Sequence, residues 1–422
     1  MSDGVLPRTG VGMNKHTISD LYQMQSLPLS AKIRMTENRI RGWYDNFDGD
    51  VYVSFSGGKD STVLVDIITK MGYTDIPLVF VDTGLEYPEI REFVKGYGDR
   101  VTWVKPKMNF KQVIEKYGYP FISKEVSECV WGARRYLTKL LDEQNALTDR
   151  QTDRQTDRQT DCHTVTSTIN YEELANILND RMVNRKGGQN QRLAIMLGML
   201  TNDPKHPVQA NIPSNNKSMF SQQKYQFFLD ADFEIGNRCC NVMKKEPAHR
   251  YSKETGRKPI TAQMASESRL RTQKWLQNGC NAFEATNPIS NPMSFWTEQD
   301  VLLYIKQNNL PICPIYGDIV EDLGDTEEVE GQLTMSDIEG WEDQGLFDAE
   351  RLPLKTTGRD RTGCMFCGFG CHLEKGEGRF VQMKKSHPKQ YDYIMRPWGE
   401  GGLNYKEIID WINEHGNLNI RY

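Results

Sequence analysis

Residues 50–70 read DVYVSFSGGKDSTVLVDIITK. Asp50 to Phe55 has the short apolar character of a buried strand, and Thr62 to Met71 that of an apolar helix. Ser56 to Ser61 is the glycine turn between them. Gly57 and Gly58 let backbone N–H groups approach an anion with no Cβ in the way. The helix that follows offers unpaired N–H groups and the positive end of its dipole to the same point. Lys59 adds a full charge, and Ser56 and Ser61 add hydroxyl donors. The pattern G-x-x-x-x-G-K-[ST] does not fit, so this is not a Walker A loop. The stretch predicts a strand-loop-helix built to hold phosphate.

Outward from it, Leu29 to Trp43 carries Ile33, Met35, Ile40 and Trp43 at roughly helical spacing. Ile76 to Val81 and Val101 to Val104 read as further strands, and Phe110 to Lys116 as a helix. Strands alternating with helices predict an α/β fold, a doubly wound and mainly parallel sheet. The pattern then breaks at TDRQTDRQTDRQTD, Thr148 to Asp161. This repeat has no apolar residue to bury, and an exposed loop or frayed helix suits it. Helices are expected at Tyr171 to Val183 and Gln191 to Leu200, with a polar loop over Pro204 to Ser221. Asp318 to Glu350 holds many acids and no Lys or Arg, as a solvated loop would. Lys384, Lys385, His387 and Lys389 cluster as a candidate phosphate-contacting face. A last helix, Tyr405 to Glu414, should dock through Ile408, Ile409, Trp411 and Ile412. The expected organisation is a polar arm (1–29), an α/β core with the loop (30–136), a helical and low-complexity insertion (137–233), a continuation of the first domain (234–316), the acidic loop (317–350), and a cysteine-bearing C-terminal helical region (351–422).

The chain has 422 residues, a formal net charge of -5 and 38% hydrophobic residues, enough for one large or several smaller domains. No window approaches the roughly 18 apolar residues of a membrane span. The N-terminus lacks an apolar signal region, so a cytoplasmic location is expected. The mildly acidic balance argues against bulk, non-specific nucleic-acid binding. Nine cysteines are too sparse for a disulfide scaffold and point to thiols or metal ligands. Cys239 and Cys240 are adjacent, Cys364 and Cys367 form a Cys-x-x-Cys, and Cys371-His372 follows. A Cys-x-x-Cys alone serves zinc or a redox dithiol equally well. Cys129, Cys162, Cys280 and Cys313 are scattered and read as ordinary thiols. Asp82-Thr83-Gly84 ends a strand, the edge at which doubly wound sheets bind ligands, although it is also good turn chemistry. Glu267 and Arg271 stand one helical turn apart and could simply pair. Trp296 reads as core.

The Ser56–Ser61 loop resembles the pyrophosphate loop of the adenine-nucleotide α-hydrolase-like enzymes. Further landmarks resemble the phosphoadenylyl-sulfate (PAPS) reductase family. They are Val81 to Gly84 with Tyr87-Pro88-Glu89; Cys239-Cys240 with Lys244, Lys245 and Pro247; and Ile260-Thr261-Ala262 through Glu267-Ser268 to Arg271. Pro292 with Trp296-Thr297-Glu298 and Asp300-Val301, then Leu310-Pro311 and Tyr316, and finally Gly363 to Cys367, complete a collinear series from about Asp50 to His372.

The resemblance implies an adenine nucleotide, either ATP or adenylyl sulfate/PAPS, over Ser56, Gly57, Gly58, Lys59, Asp60 and Ser61. Asp82, Thr83, Gly84, Glu267 and Ser268 would stand beside it, with Mg²⁺ or the nucleotide held at Asp82. Arg271 would face an α-phosphate or sulfate. Cys239, Cys240, Cys364 and Cys367 resemble the ligand set of the family's [4Fe–4S] members, with zinc as the alternative. Separate iron corners suit adjacent cysteines better than one zinc ion does. Cys371 is either a nucleophile or persulfide carrier, with His372 lowering its pKa, or a structural cysteine in a glycine-rich turn.

Two departures set the expected chemistry. The family's assimilatory reductases carry a Glu-Cys-Gly-His type tail, whereas this sequence ends Asn419-Ile420-Arg421-Tyr422. They also tend to degrade the loop that is intact here, and Ala262 stands where the family favours glycine. The expectation is therefore ATP pyrophosphatase chemistry, adenylation coupled to sulfur transfer. Sulfite-releasing reduction of adenylyl sulfate or PAPS is the alternative, and a non-catalytic nucleotide sensor is a third. A sulfur donor or thiol reductant is implied, with nucleic acid a candidate acceptor. Self-association or a partner protein stays open.

Overall fold

Val51, Tyr52 and Val53 point alternately to the two faces of a strand, yet all three are buried. Both faces of that strand must therefore be covered, as in a parallel α/β sheet. The computed structural model, which describes residues 14–149, 170–184, 188–201, 207–210, 212, 221–322 and 352–422, bears this out. Residues 1–13 of the arm, the repeat beyond Asp149, Cys162 and most of the polar and acidic loops lie outside the described residues.

The chain divides into two compact units, Met1–Pro106 with Glu246–Gly363, and Lys107–Lys245 with Cys364–Tyr422. The first holds a six-stranded sheet. Its strands β1 (Val51–Ser54), β2 (Leu78–Val81) and β3 (Val101–Val104) are joined by Lys258–Ile260, Asn281–Ala282 and Ile289–Ser290. The order is β3, β2, β1, Lys258–Ile260, Ile289–Ser290, Asn281–Ala282, and every pairing but the last is parallel. The chain thus runs from β1 to one side, then returns to β1's other edge. The C-terminal end of β1 is the switch point at which such sheets bind ligands.

Tyr52 meets Tyr251 edge-on at 5.1 Å, so the helix Glu246–Thr255 lies on Tyr52's face of β1. The helix Lys59–Lys70 packs with the helices Leu29–Asn46 and Glu298–Asn308. A buried ion pair ties two of these together, with Lys32 Nζ 2.7 Å from Asp300 Oδ2. Trp296 is core, as expected, and its N–H donates to Thr36 Oγ1 at 2.9 Å.

The polar arm is more ordered than its composition suggests. Ile18–Gln25 is a helix with a reciprocal box at its start, in which Thr17 Oγ1 accepts the Asp20 N–H and Asp20 Oδ2 accepts the Thr17 N–H. His16 stacks on Trp275 at 4.8 Å and donates its N–H to the Leu276 carbonyl.

The second unit is mostly helical. The helix Lys124–Asp149 packs on Gly188–Met196, and Tyr171–Asn184 also packs on Gly188–Met196. Phe121–Ile122 and Gly368–Phe369 form a small parallel sheet. The final helix, Tyr405–Gly416, docks through Ile408, Ile409 and Ile412, while the Tyr405 hydroxyl donates to the Phe366 carbonyl at 2.7 Å. The basic C-terminal residues are engaged locally. Lys385 pairs with Glu377, Lys384 lies over the Tyr391 ring, and buried His387 bonds Ser386. Among the described residues no helix is long and apolar enough to cross a membrane.

Candidate functional site

The glycine loop occupies the switch point. Gly58 is extended (φ -78, ψ 158) and caps the helix Lys59–Lys70, which begins earlier than the expected Thr62. That earlier start puts Lys59 and Asp60 in the first turn, with the orphan N–H groups. Gly57 has φ +69, and a Cβ there would stand 2.7 Å from Val94 Cγ2 and 3.0 Å from Ile90 Cγ2. Only glycine suits both demands. Ser56 and Ser61 close the loop on itself through an Oγ···Oγ contact of 3.0 Å, while the Ser61 hydroxyl donates to the Gly58 carbonyl.

Lys59 is 3% exposed. Its ammonium donates to the Asp360 carbonyl at 2.5 Å and lies 2.9 Å from Glu298 Oε1. Its backbone N–H donates to the Tyr316 hydroxyl at 3.3 Å, and that hydroxyl is 2.6 Å from Thr362 Oγ1. Asp60 is half-buried, and its buried Oδ1 has no hydrogen-bond partner among the described residues. Burial pushes its carboxyl above the usual range, against the pull of Lys59, Arg361 and Arg271. Arg271 pairs with Glu267, as does Arg361 at 3.5 Å, and burial lowers the Arg271 pKa from its ordinary value.

Ser268 serves chiefly as the N-cap of the helix Arg269–Asn278, accepting the Arg271 N–H at 3.3 Å. At the end of β2, Asp82 pairs with Arg91 at 3.0 Å through Oδ2, and its buried Oδ1 has no described partner. Thr83 donates to Glu86 at 2.7 Å, and Gly84 turns the chain at φ +75. The unit therefore gathers the loop, Arg271 and Glu267. It adds Asp360, Arg361 and Thr362, which the sequence analysis did not single out, and gives Glu298 and Tyr316 contacts that the motif match did not foresee. The charged run Arg359-Asp360-Arg361 was the signal available for the first group.

Cys239, Cys240, Cys364, Cys367 and Cys371 all belong to the second unit. Cys239 and Cys240 lie within electrostatic reach of each other. Cys240 is pulled down by its neighbour and by Lys124, Lys244 and Lys245, while Cys239 is pushed up by its neighbour and by burial. Cys364 and Cys367 lie within electrostatic reach of Cys239. The donor set is all thiol, with three lysines to offset its negative charge, and that chemistry suits an iron–sulfur group. Among the described residues no group of three or more His, Cys, Asp or Glu is arranged to hold a metal ion. Burial pushes the Cys367 thiol up, against the pull of Arg379.

Cys371 is buried, its thiol donates to the Gly368 carbonyl at 2.8 Å, and burial pushes its pKa up to about 12. The His372 backbone, and not its imidazole, pulls that thiol down slightly. The imidazole Nε2 lies 3.1 Å from the Tyr225 hydroxyl, and burial lowers its own pKa. Cys129, Cys280 and Cys313 are buried, as ordinary thiols would be.

Known proteins resemble parts of this arrangement. A protein of Methanocaldococcus jannaschii is 35% identical over 85 residues, 19% of this chain and 18% of that one. An adenosine 5'-phosphosulfate reductase of Staphylococcus epidermidis is 27% identical over 93 residues, 21% of this chain and 38% of the enzyme. One from Lysinibacillus sphaericus is 27% identical over 147 residues, 35% and 61%. The chain thus spans less than two thirds of each relative. A crystal structure of PAPS reductase from Candida auris in a phosphate complex aligns with TM-score 0.30 and 15% identity, covering 72% of this chain and 92% of that one. The phosphoadenosine phosphosulfate reductase domain itself matches residues 50–161 and 196–330, so it takes in the sheet, the glycine loop, Asp82, Glu267 and Arg271, and the chain belongs to that family.

Proposed function

We propose that this protein binds an adenine nucleotide over Ser56–Ser61 and cleaves ATP between the α- and β-phosphates, releasing pyrophosphate and adenylating an acceptor oxygen, which then leaves with AMP as sulfide-level sulfur from a thiol donor takes its place. The observation that carries this is Lys59, a buried cation at a helix N-terminus on the sheet's switch point. A buried lysine at a helix N-terminus suits charge that develops on a leaving pyrophosphate. Arg271 and Arg361 supply further positive charge near Asp60. Asp60 and Asp82, each with an orphaned carboxylate oxygen, are the residues that would hold Mg²⁺, which shields polyphosphate charge when bound.

Cys239, Cys240, Cys364 and Cys367 would hold a [4Fe–4S] cluster, or zinc as the alternative. A cluster there supplies either a structural clamp or electron transfer. Cys371 in its buried, hydrogen-bonded form supports the 368–371 turn, and sulfur delivery through it requires that bond to break. The names of the Staphylococcus and Lysinibacillus relatives support a second reading, reduction of adenylyl sulfate or PAPS by a thiol reductant. Pyrophosphate release from Mg·ATP by anaerobically purified, iron-replete protein separates the two, with Lys59→Ala as control. Lysine-dependent pyrophosphate supports adenylation. Sulfite from adenylyl sulfate or PAPS, with no pyrophosphate from ATP, supports the reductase.

A further inference from the structure

Lys59 is buried, and a buried ammonium with no counter-charge would cost several kcal/mol. The charge is met by Glu298 at 2.9 Å. The two partners differ in freedom, since the Glu298 side chain is 40% exposed and that of Lys59 only 3%. Glu298 can turn to water while the lysine stays where it is. Its helix does not need it as a cap, because Thr297 and Asp300 already form the reciprocal capping box. The other nearby cations are matched elsewhere, with Arg271 and Arg361 both on Glu267. The Asp360 carbonyl is a neutral acceptor that can remain on Lys59 whether or not an anion is present.

We propose that Glu298 is the resting counter-ion of Lys59, a positioning residue that holds the ammonium in place until an incoming phosphate displaces the carboxylate. This rests on the phosphate-loop assignment above. The carboxylate gives Lys59 the negative charge that a phosphate oxygen would, and becomes a like charge once the phosphate arrives. Part of each ligand's binding energy is therefore spent on moving it. Glutamine at this position keeps an acceptor for Lys59 and removes the competing charge.

The test is titration calorimetry of the full chain with inorganic pyrophosphate as the probe. Glu298→Gln should tighten binding about fivefold, the scale of one partly exposed ion pair. Glu298→Ala should shift it in the same direction, and Glu298→Asp, which keeps the charge, should stay near wild type. A purely structural lesion would weaken binding, so tightening is the diagnostic sign. If Lys59→Met abolishes binding while Glu298→Gln leaves it unchanged or weaker, Glu298 is not the displaced counter-ion. If Lys59→Met leaves binding unchanged, the phosphate-loop assignment itself fails.

Discussion

Replacing Gly57 by alanine tests whether this glycine serves the fold or the ligand. At φ +69 an alanine costs about 1–2 kcal/mol in backbone strain alone. Its Cβ would also lie 2.7 Å from Val94 Cγ2 and 3.0 Å from Ile90 Cγ2, and forcing their helix, Pro88–Lys95, away adds about 1–3 kcal/mol. The total, about 2–5 kcal/mol, is a large fraction of the roughly 5–15 kcal/mol that holds a domain. For a unit of this size that lowers the melting midpoint by about 4–20 °C. A chain with two units need not melt in one step. Scanning calorimetry with and without pyrophosphate identifies the relevant transition, because ligand raises the midpoint of the unit that binds it. Gly58→Ala is the matched control. Gly58 has an ordinary φ of -78, and its Cβ would meet hydroxyl oxygens of Ser56 and Tyr316 at 3.2 Å. It should leave stability within about 1 kcal/mol. It should weaken pyrophosphate about tenfold, the scale of one charged hydrogen bond. Equal melting of the two variants, or an unshifted Gly57→Ala, would refute the division of labour.

Asp60 has a folded pKa raised by burial, so its stabilising contribution is present below the unfolded pKa and is lost as pH rises through the folded one. Asp60→Asn should therefore be more stable than wild type at pH 7, with the gain fading toward pH 4, in ligand-free thermal melts. Lys32→Met strands Asp300 beside an apolar side chain and should cost about 3–5 kcal/mol by urea unfolding. Iodoacetamide at pH 7.5 should spare Cys371, whose buried thiol sits at about 12, until denaturant is added; peptide mass mapping reads this directly.

The strand, loop and helix around Gly57 were legible because hydrophobic period and glycine chemistry are both local. Val101–Val104 and the start of the last helix were equally plain. Lys258–Ile260 was not, since three residues containing Pro259 carry no alternation and proline argues against an inner strand. The two-residue strands Asn281–Ala282 and Ile289–Ser290 are too short for any period to show. Ile18–Gln25 hid behind polar composition, although Thr17 and Asp20 already spelled a capping pair. The partners of Lys59 were out of reach for another reason. Asp360 is 301 residues away, and only the tertiary fold brings it to the loop.

The motif's residues divide by what explains them. Packing against Val94 and Ile90 accounts for Gly57, and the loop's own hydrogen bonds account for Ser56 and Ser61. None of these requires a ligand, so their presence alone is weak grounds for one. Asp60 and Asp82 are different, because each buries a carboxylate oxygen that meets no described donor. Lys59 is different too, a cation taken out of water and met by Glu298 and the Asp360 carbonyl. Neutral side chains of similar size would avoid the desolvation of all three. An anion would compete with Glu298 for Lys59, and a cation would satisfy the orphaned carboxylate oxygens. These three charges, and not the glycines or serines, are what the proposed nucleotide rests on.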